Sequence, residues 1–228
     1  MKHKILLPLF LLIECGLWIA IQHIGGRLNA ILSFGSILLA LVMVTLRYAK
    51  TAEWRLTALA LALTVCADFC LVLCQPMQQL GGMLFFVCVQ ACYFCRIHML
   101  LEGKTRLASL LSHIVLSLLG ILLPILVLGK GADLVAIAAI VYILNLLANI
   151  VFAYLAGDKT SRLLPIGLTL FILCDIFVGF AMMEGYLPIP EGSSLHFLAY
   201  PPFNAAWLFY VPAQALLAIS TRLPQKSA

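Results

Sequence analysis

Apolar runs about as long as a bilayer is thick follow one another along this chain, separated by short stretches that carry most of its charges. An α-helix needs about 20 such residues to cross the hydrocarbon core. The pattern predicts eight transmembrane helices, over 4–23, 29–48, 55–74, 81–101, 107–128, 132–156, 162–183 and 200–221. Period-two alternation of apolar and polar residues is absent, which excludes an outer-membrane barrel. The expected fold is therefore all-α, a single polytopic domain over 1–228. The first run follows "MKHK" but is long for a signal-peptide core, and no small-x-small cleavage site follows it, so it is expected to stay as a helix.

Composition sharpens this. Of 228 residues 64% are hydrophobic and only 10% charged, where a soluble domain carries about a quarter; the mean hydropathy is +1.12. Twelve of the 14 basic residues fall at one end of the expected bundle: Lys2, Lys4, Arg47, Lys50, Arg55, Arg96, Lys104, Arg106, Lys159, Arg162, Arg222 and Lys226. Only Arg27 and Lys130 fall at the other. The positive-inside rule then puts both termini in the cytoplasm and the protein in the cell membrane. The net charge of +5 reflects this asymmetry and calls for no nucleic-acid partner.

The eight cysteines all lie within spans, so no disulfide is expected. Cys66, Cys70 and Cys74 form one helical stripe and Cys88, Cys92 and Cys95 another. Small residues at helix–helix contacts explain them better than a metal or redox site, which needs a polar second shell and an entry path. No metal and no cofactor is expected. The longest connection, 184–199, holds two Pro and two Gly. It is expected to be irregular, either capping a cavity or simply joining two helices.

Without gaps, "RLTALALALTVCAD" (55–68) aligns to "RLLPIGLTLFILCD" (162–175), an offset of 107. Leu matches mean little here, but the Arg and Asp are rare. The alignment implies a parallel duplication of two four-helix halves, as in some transporters. Arg55 to Asp68 and Arg162 to Asp175 are both 13 residues, a rise of roughly 20 Å. Asp68 and Asp175 should thus lie at one depth beyond the midplane.

An acid inside a span is costly and faces the bundle interior. Glu14, Asp68 and Asp175 qualify. Gln90 and Tyr93 share a face of span 4, Tyr142, Asn145 and Asn149 a face of span 6, and Trp207, Tyr210 and Gln214 a face of span 8. Together they suggest one polar pocket. A lone Asn or Gln ordinarily joins helices, Tyr and Trp ordinarily mark core or interface, and His113 reads as a satisfied core histidine. The two aspartates differ, being matched in depth and repeat position with no intramembrane Lys or Arg placed to neutralise them. Arg96 lies too far toward the basic end. Pro212, between Tyr210 and Gln214, frees a carbonyl that could serve the pocket. Two close acids offer a proton donor beside an acceptor, which suits both general acid–base catalysis and proton-coupled transport.

Beyond this fork, "ALALTVCADFCLVL", "GGMLFFVCVQACY", "RLLPIGLTLFILCDIFVGF" and "WLFYVPAQALLA" resemble the YhhN-type lysoplasmalogenases. The resemblance implies eight spans and hydrolysis of the vinyl ether bond of a lysophospholipid with an alkenyl chain, giving a fatty aldehyde and a glycerophospho-base. It carries the family's two essential acids onto Asp68 and Asp175, and its further site residues onto Tyr93, Tyr210 and Gln214. Ala67 stands where Gly is usual, Cys174 where Ser is usual, and Gln90 where His is common. A Lys often found at the start of span 2 is missing, with Asn29 nearby. These departures bear on head-group preference and on whether activity is kept. Two other classes use the same residues: a proton-coupled transporter, which should show discontinuous helices at the site, and a non-catalytic lipid-binding protein.

Overall fold

A computed structural model describes residues 2–74, 79–157 and 161–221, with side chains from Ile5 onward. Lys159, Arg222 and Lys226, and the side chains of Lys2 and Lys4, lie outside this description. The described residues form helices without strands: α1 (Lys2–His23), α2 (Gly26–Leu46), α3 (Ala52–Asp68), α4 (Gln79–His98), α5 (Gly103–Leu128), α6 (Leu134–Leu155), α7 (Leu163–Met183), α8 (Ser194–Ala199) and α9 (Ala205–Ile219). Seven stretches among them are long and apolar enough to cross a membrane. The protein is an all-α polytopic membrane protein.

Turn and cap chemistry set the helix ends. Gly26, the first residue of α2 after a two-residue link, takes φ +66°, a backbone that a side chain would strain. Asn29 donates from Nδ2 to the carbonyls of Ile21 and Ile24, both at 2.7 Å, and so closes the end of α1. Thr51 and Asp133 accept from the backbone N–H of Trp54 and Ala136 and start α3 and α6. Asp133 also accepts from the Tyr186 hydroxyl, tying the turn after α7 to the start of α6. Burial and that carboxylate push the Tyr186 hydroxyl up to about 12.

Three expectations change. Span 3, expected over 55–74, is one membrane-length stretch over Ala52–Leu73, but it is not regular throughout: α3 ends at Asp68 and the chain continues as a wide, π-type turn over Phe69–Leu73. Span 8 was expected over 200–221, but α9 covers only Ala205–Ile219. Pro201 and Pro202 stand in the irregular stretch ahead of it, where their missing N–H groups keep the helix from starting earlier. The 184–199 connection is not wholly irregular, because Ser193 caps a short helix, α8, by accepting from His196 N–H.

α3, α4, α6, α7 and α9 pack in that cyclic order into a ring. α1 and α2 lie outside it against α9 and α3, and α5 lies outside against α6. The ring interior holds the larger apolar core, including Leu146, Leu164, Leu168, Phe171 and Leu217. A smaller core of Phe10, Ala40, Met43 and Leu61 joins α1 and α2 to it. The expected role of the cysteines is overturned for most of them. Cys15, Cys66, Cys88 and Cys95 are exposed and Cys70 and Cys74 half-buried; only Cys92 and Cys174 are packed inside. A thiol behaves as a small hydrophobe and is tolerated on a lipid-facing surface.

At 15 residues, α9 spans roughly 22 Å, short of a core of about 30 Å. Its last carbonyls therefore end inside the bundle and need partners there. Arg47 Nη2 donates to the Thr221 carbonyl at 3.1 Å. Arg96 Nη2 donates to the Ser220 carbonyl at 3.1 Å, and its Nη1 to Ser220 Oγ at 2.7 Å and Thr57 Oγ1 at 2.9 Å. Arg96 also forms an ion pair with Glu53. Expected among the loop charges, Arg96 is instead fully buried where α3, α4 and α9 meet. At the other turn of α9, Pro212 leaves the Leu208 carbonyl without its helical donor. Trp18 Nε1 takes it at 3.0 Å, so that carbonyl ties α1 to α9 and does not serve the pocket.

Replacing Arg96 with Leu strips these bonds and leaves Glu53 without its cation. Losing one partner of a buried pair costs about 3–5 kcal/mol. The lower end is expected, because the Glu53 side chain keeps 18% exposure. Arg96→Lys keeps the charge without the fork and should fall between. Unfolding of the purified protein in mixed micelles measures this, and an unshifted midpoint for Arg96→Leu would count against the role of the knot.

Candidate functional site

Asp68 is the last residue of α3, and the wide turn that follows swings Leu71 and Val72 toward the same space. Such turns break the regular ladder and recur at functional positions. Asp175 projects from α7, half a helix from the end of that helix at Met183. Both line one cavity of about 590 Å3 inside the ring. Tyr210 Oη on α9 donates to Asp68 Oδ2 at 2.7 Å, and Tyr142 Oη on α6 donates to Asp175 Oδ2 at 2.5 Å. A carboxyl group taken from water keeps its cost down only when hydrogen-bonded, and here each acid has its own phenol.

Around the acids the wall is apolar and aromatic. Phe86 packs on Tyr142 with ring centroids 5.4 Å apart, Phe171 on Tyr210 at 5.3 Å, and Trp207 edge-on to Tyr210 at 5.4 Å. Cys174 also lines the space. The opening is framed by Gln79 at the start of α4, Met182 near the end of α7, and the 199–206 segment between α8 and α9. That is the end of the bundle remote from the Arg96 knot. The segment around the paired prolines, expected as the start of span 8, thus frames a mouth, whereas of the 184–199 connection only Ala199 lines the cavity. Tyr200 and Asn204 in it were not singled out from the sequence, since neither sits on a regular helix face. Among the cavity-lining residues there is no Lys, Arg or His.

The expectation of a single pocket is corrected. Asp68, Asp175, Tyr142, Trp207 and Tyr210 share the cavity, but the other expected members do not line it. Glu14 is buried near α2, where Ser36 Oγ donates to its Oε2 at 2.6 Å. Tyr93 and Gln214 are fully buried in packed core, and neither the Tyr93 hydroxyl nor the Gln214 amide has a hydrogen-bond partner among the described residues. Gln90 and Asn145 line a second cavity of about 420 Å3, bounded by α4, α5 and α6. The physical reason is angular. Residues three apart on a helix differ by about 60° in direction, enough for Gln90 to turn to one side of α4 and Tyr93 to another.

The second cavity has a largely self-satisfied polar floor. His113 Nε2 meets Asn149 Oδ1 at 3.1 Å, and its Nδ1 meets the Ser109 carbonyl at 2.8 Å. Asn149 Nδ2 donates to Gln90 Oε1 at 3.0 Å, and Asn145 Nδ2 to Ser117 Oγ at 3.0 Å. His113 is the core histidine the sequence suggested, and Asn145 and Asn149 join helices. Tyr142 lines both cavities. Above this floor α5 and α6 come into backbone contact: a Cβ on Gly120 would stand 2.7 Å from Val141 Cα.

The described residues contain no group of three His, Cys, Asp or Glu side chains placed to hold a metal ion. Compared with known proteins, the chain matches the YhhN family over residues 29–221. No curated protein and no solved structure matches it.

The Gly120 contact gives a stability test. Gly→Ala in a helix interior gains up to about 1 kcal/mol of propensity, but overpacking against backbone costs about 1–3 kcal/mol. Gly120→Ala should therefore lose stability on balance. Gly35→Ala, with nothing within 4 Å of the added carbon, should gain or stay level. Paired melting curves in detergent read the difference, and a Gly120→Ala protein as stable as Gly35→Ala would refute the close approach.

Proposed function

The chain belongs to the YhhN family, the lysoplasmalogenase family, and from that premise we propose that it is a membrane-embedded hydrolase. Its substrate is a lysophospholipid with an alkenyl chain, and it cleaves the vinyl ether to a fatty aldehyde and a glycerophospho-base. The observation that carries this reading is a pair of acids, buried Asp68 and half-buried Asp175, lining one cavity, each held by the hydroxyl of its own tyrosine.

The chemistry needs no more than such a pair and water. One aspartic acid donates a proton to the β-carbon of the vinyl ether, and the π electrons of the C=C bond form the new C–H bond. Positive charge appears on the adjacent carbon and ether oxygen. The other aspartate, ionised, stabilises this oxocarbenium ion across a low-dielectric wall and orients a water. Water adds to the cationic carbon and gives up a proton to a carboxylate, leaving a hemiacetal. That collapses to aldehyde and alcohol. Tyr142 and Tyr210 fix the carboxyl groups for these transfers, each donating one hydrogen bond. The aromatic wall gives an amphiphile apolar surroundings beside its reacting carbons.

A second reading, proton-coupled transport through the same acids, keeps one observation in its favour. Helix regularity breaks beside the cavity twice, at the wide turn after Asp68 and at the 200–204 stretch before α9, and transporters place such breaks at their sites. Purified protein incubated with a lysoplasmalogen separates the two. Aldehyde release supports the hydrolase. No aldehyde, with substrate-dependent proton flux in liposomes, supports the transporter.

Asp68→Asn and Asp175→Asn keep shape and remove the titrating proton. Each should abolish most aldehyde release, and the double variant should be barely worse than either, because the two act as a unit. If both singles released aldehyde at near wild-type rates, the acids would be no more than helix-joining hydrogen-bond groups.

The topology proposed with this function places both termini in the cytoplasm and the cavity mouth on the other face, following the 12-to-2 division of basic residues. Reporter fusions after Ala228 and within 184–199 should give cytoplasmic and non-cytoplasmic signals respectively. A cytoplasmic signal from 184–199 would invert the assignment.

A further inference from the structure

The reaction proposed above leaves one large part of the substrate unplaced. With the vinyl ether at the acids and the head group toward the mouth, the hydrocarbon chain has to leave the reacting carbon in some other direction. Below the acids the ring is solid: Tyr93, Leu168, Phe171 and Leu217 have no exposed surface. The mouth offers one way out for the chain, past Val178, Tyr200 and Phe203, which line the cavity and are 36%, 47% and 45% exposed.

A second direction is sideways, between α4 and α6. There one residue, Tyr142, lines both the catalytic cavity and the second cavity. Tyr142 is also the residue that holds Asp175, so a carbon reacting beside Asp175 starts next to this side chain. Beyond it lies the crevice between α4 and α5, left because α5 packs along α6 and only slightly on α4. Its outer rim is made of Ile114, Leu118 and Ile121, which are 49%, 55% and 42% exposed on a surface that faces lipid. The polar groups of its floor are mostly turned to one another through the Asn145–Ser117 and His113–Asn149–Gln90 bonds, so a chain lying there meets methyl and methylene groups.

We propose that the alkenyl chain of the substrate passes beside Tyr142 and lies in the crevice between α4, α5 and α6, with its far end in the bilayer. The inference rests on the hydrolase reading. It makes the protein two-chambered: polar chemistry and head group inside the ring, hydrocarbon outside it, and Tyr142 as the partition. The second chamber is then a chain site, and its shape sets which chain lengths are used well.

Ala91 lines the crevice from α4 and is exposed, so Ala91→Trp fills the space without entering the ring. Leu84→Trp, on an exposed position of α4 that lines neither cavity, is the control. Both are compared with wild type in phospholipid nanodiscs, using hexadecenyl and butenyl glycerophosphocholine. Ala91→Trp should lower kcat/KM for the hexadecenyl substrate roughly tenfold, the effect of withdrawing about two methylenes from apolar surroundings. It should leave the butenyl substrate and the Leu84→Trp control unchanged. A hexadecenyl substrate with a photoreactive terminal carbon should label α5 at Ile114 or Leu118. An unchanged chain-length ratio in Ala91→Trp, or labelling at Val178 or Met182 of the catalytic cavity, overturns the chain placement alone. No aldehyde from either substrate with the wild-type protein overturns the hydrolase reading and the chain placement together.

Discussion

The shortness of α9 is the constraint from which the rest of the bundle follows. A helix of 15 residues cannot reach both faces of a bilayer, yet a bilayer offers nothing to unpaired backbone groups. Each end is therefore dealt with inside the protein. At the C-terminal end two arginines take the last carbonyls, and Arg96 is thereby drawn from the helix end into full burial with Glu53 and Thr57. At the N-terminal end the missing turns leave space, and that space is the cavity. α8 and the proline stretch frame its mouth, Trp207 and Tyr210 line it, and the Asp68 carboxyl accepts the Tyr210 hydroxyl. One shortened helix thus builds the stabilising knot at one end of the bundle and the site at the other.

The acids show how sequence and structure meet. That they share one cavity follows the expectation from residue count, in which 13 residues after Arg55 and after Arg162 give the same rise twice. What was not legible was their hydrogen-bond environment. The duplication matches Asp68 with Asp175, but it does not match their tyrosines. Tyr210 comes from the last helix, whereas Tyr142 comes from the helix just before Asp175's own. The expected repeat thus concerns the two carboxyl groups and not the hydroxyls that hold them.

Other features were hidden for separate physical reasons. "LHFLAYPPFNAAWLFY" (195–210) is mostly apolar and carries no Lys, Arg, Asp or Glu, so hydropathy runs across the break that two prolines impose on the backbone. The turn after Asp68 leaves no trace in "FCLVL", because a widened turn uses the same residues as a regular one. Gln90, Tyr93 and Gln214 were placed by helix face, and a face fixes direction only to within a broad sector. Inside a ring of five helices that sector is wide enough to separate a chamber from solid core. Arg96 looked like a loop charge because only the short end of α9, invisible in composition, gives a buried guanidinium something to bind.

The two chambers then account for the position of Tyr142. Its hydroxyl is committed to Asp175, and its ring, packed against Phe86 and Phe171, stands between the cavity that holds the two acids and a crevice on the outside of the ring. An enzyme acting on a bond between a water-seeking head and a fat-seeking chain faces opposite solvation demands on the two sides of one atom. A single cavity would have to compromise, either wetting the chain or drying the head group. A side chain lining both cavities, whose polar tip serves the acid and whose apolar body borders the hydrocarbon, meets both demands within the length of a tyrosine. The unlike partners of Asp68 and Asp175 follow the same logic: Asp68 is held by the helix that frames the mouth, Asp175 by the partition. On the proposed chain placement, the direction of the substrate through the site is set by which tyrosine holds which acid.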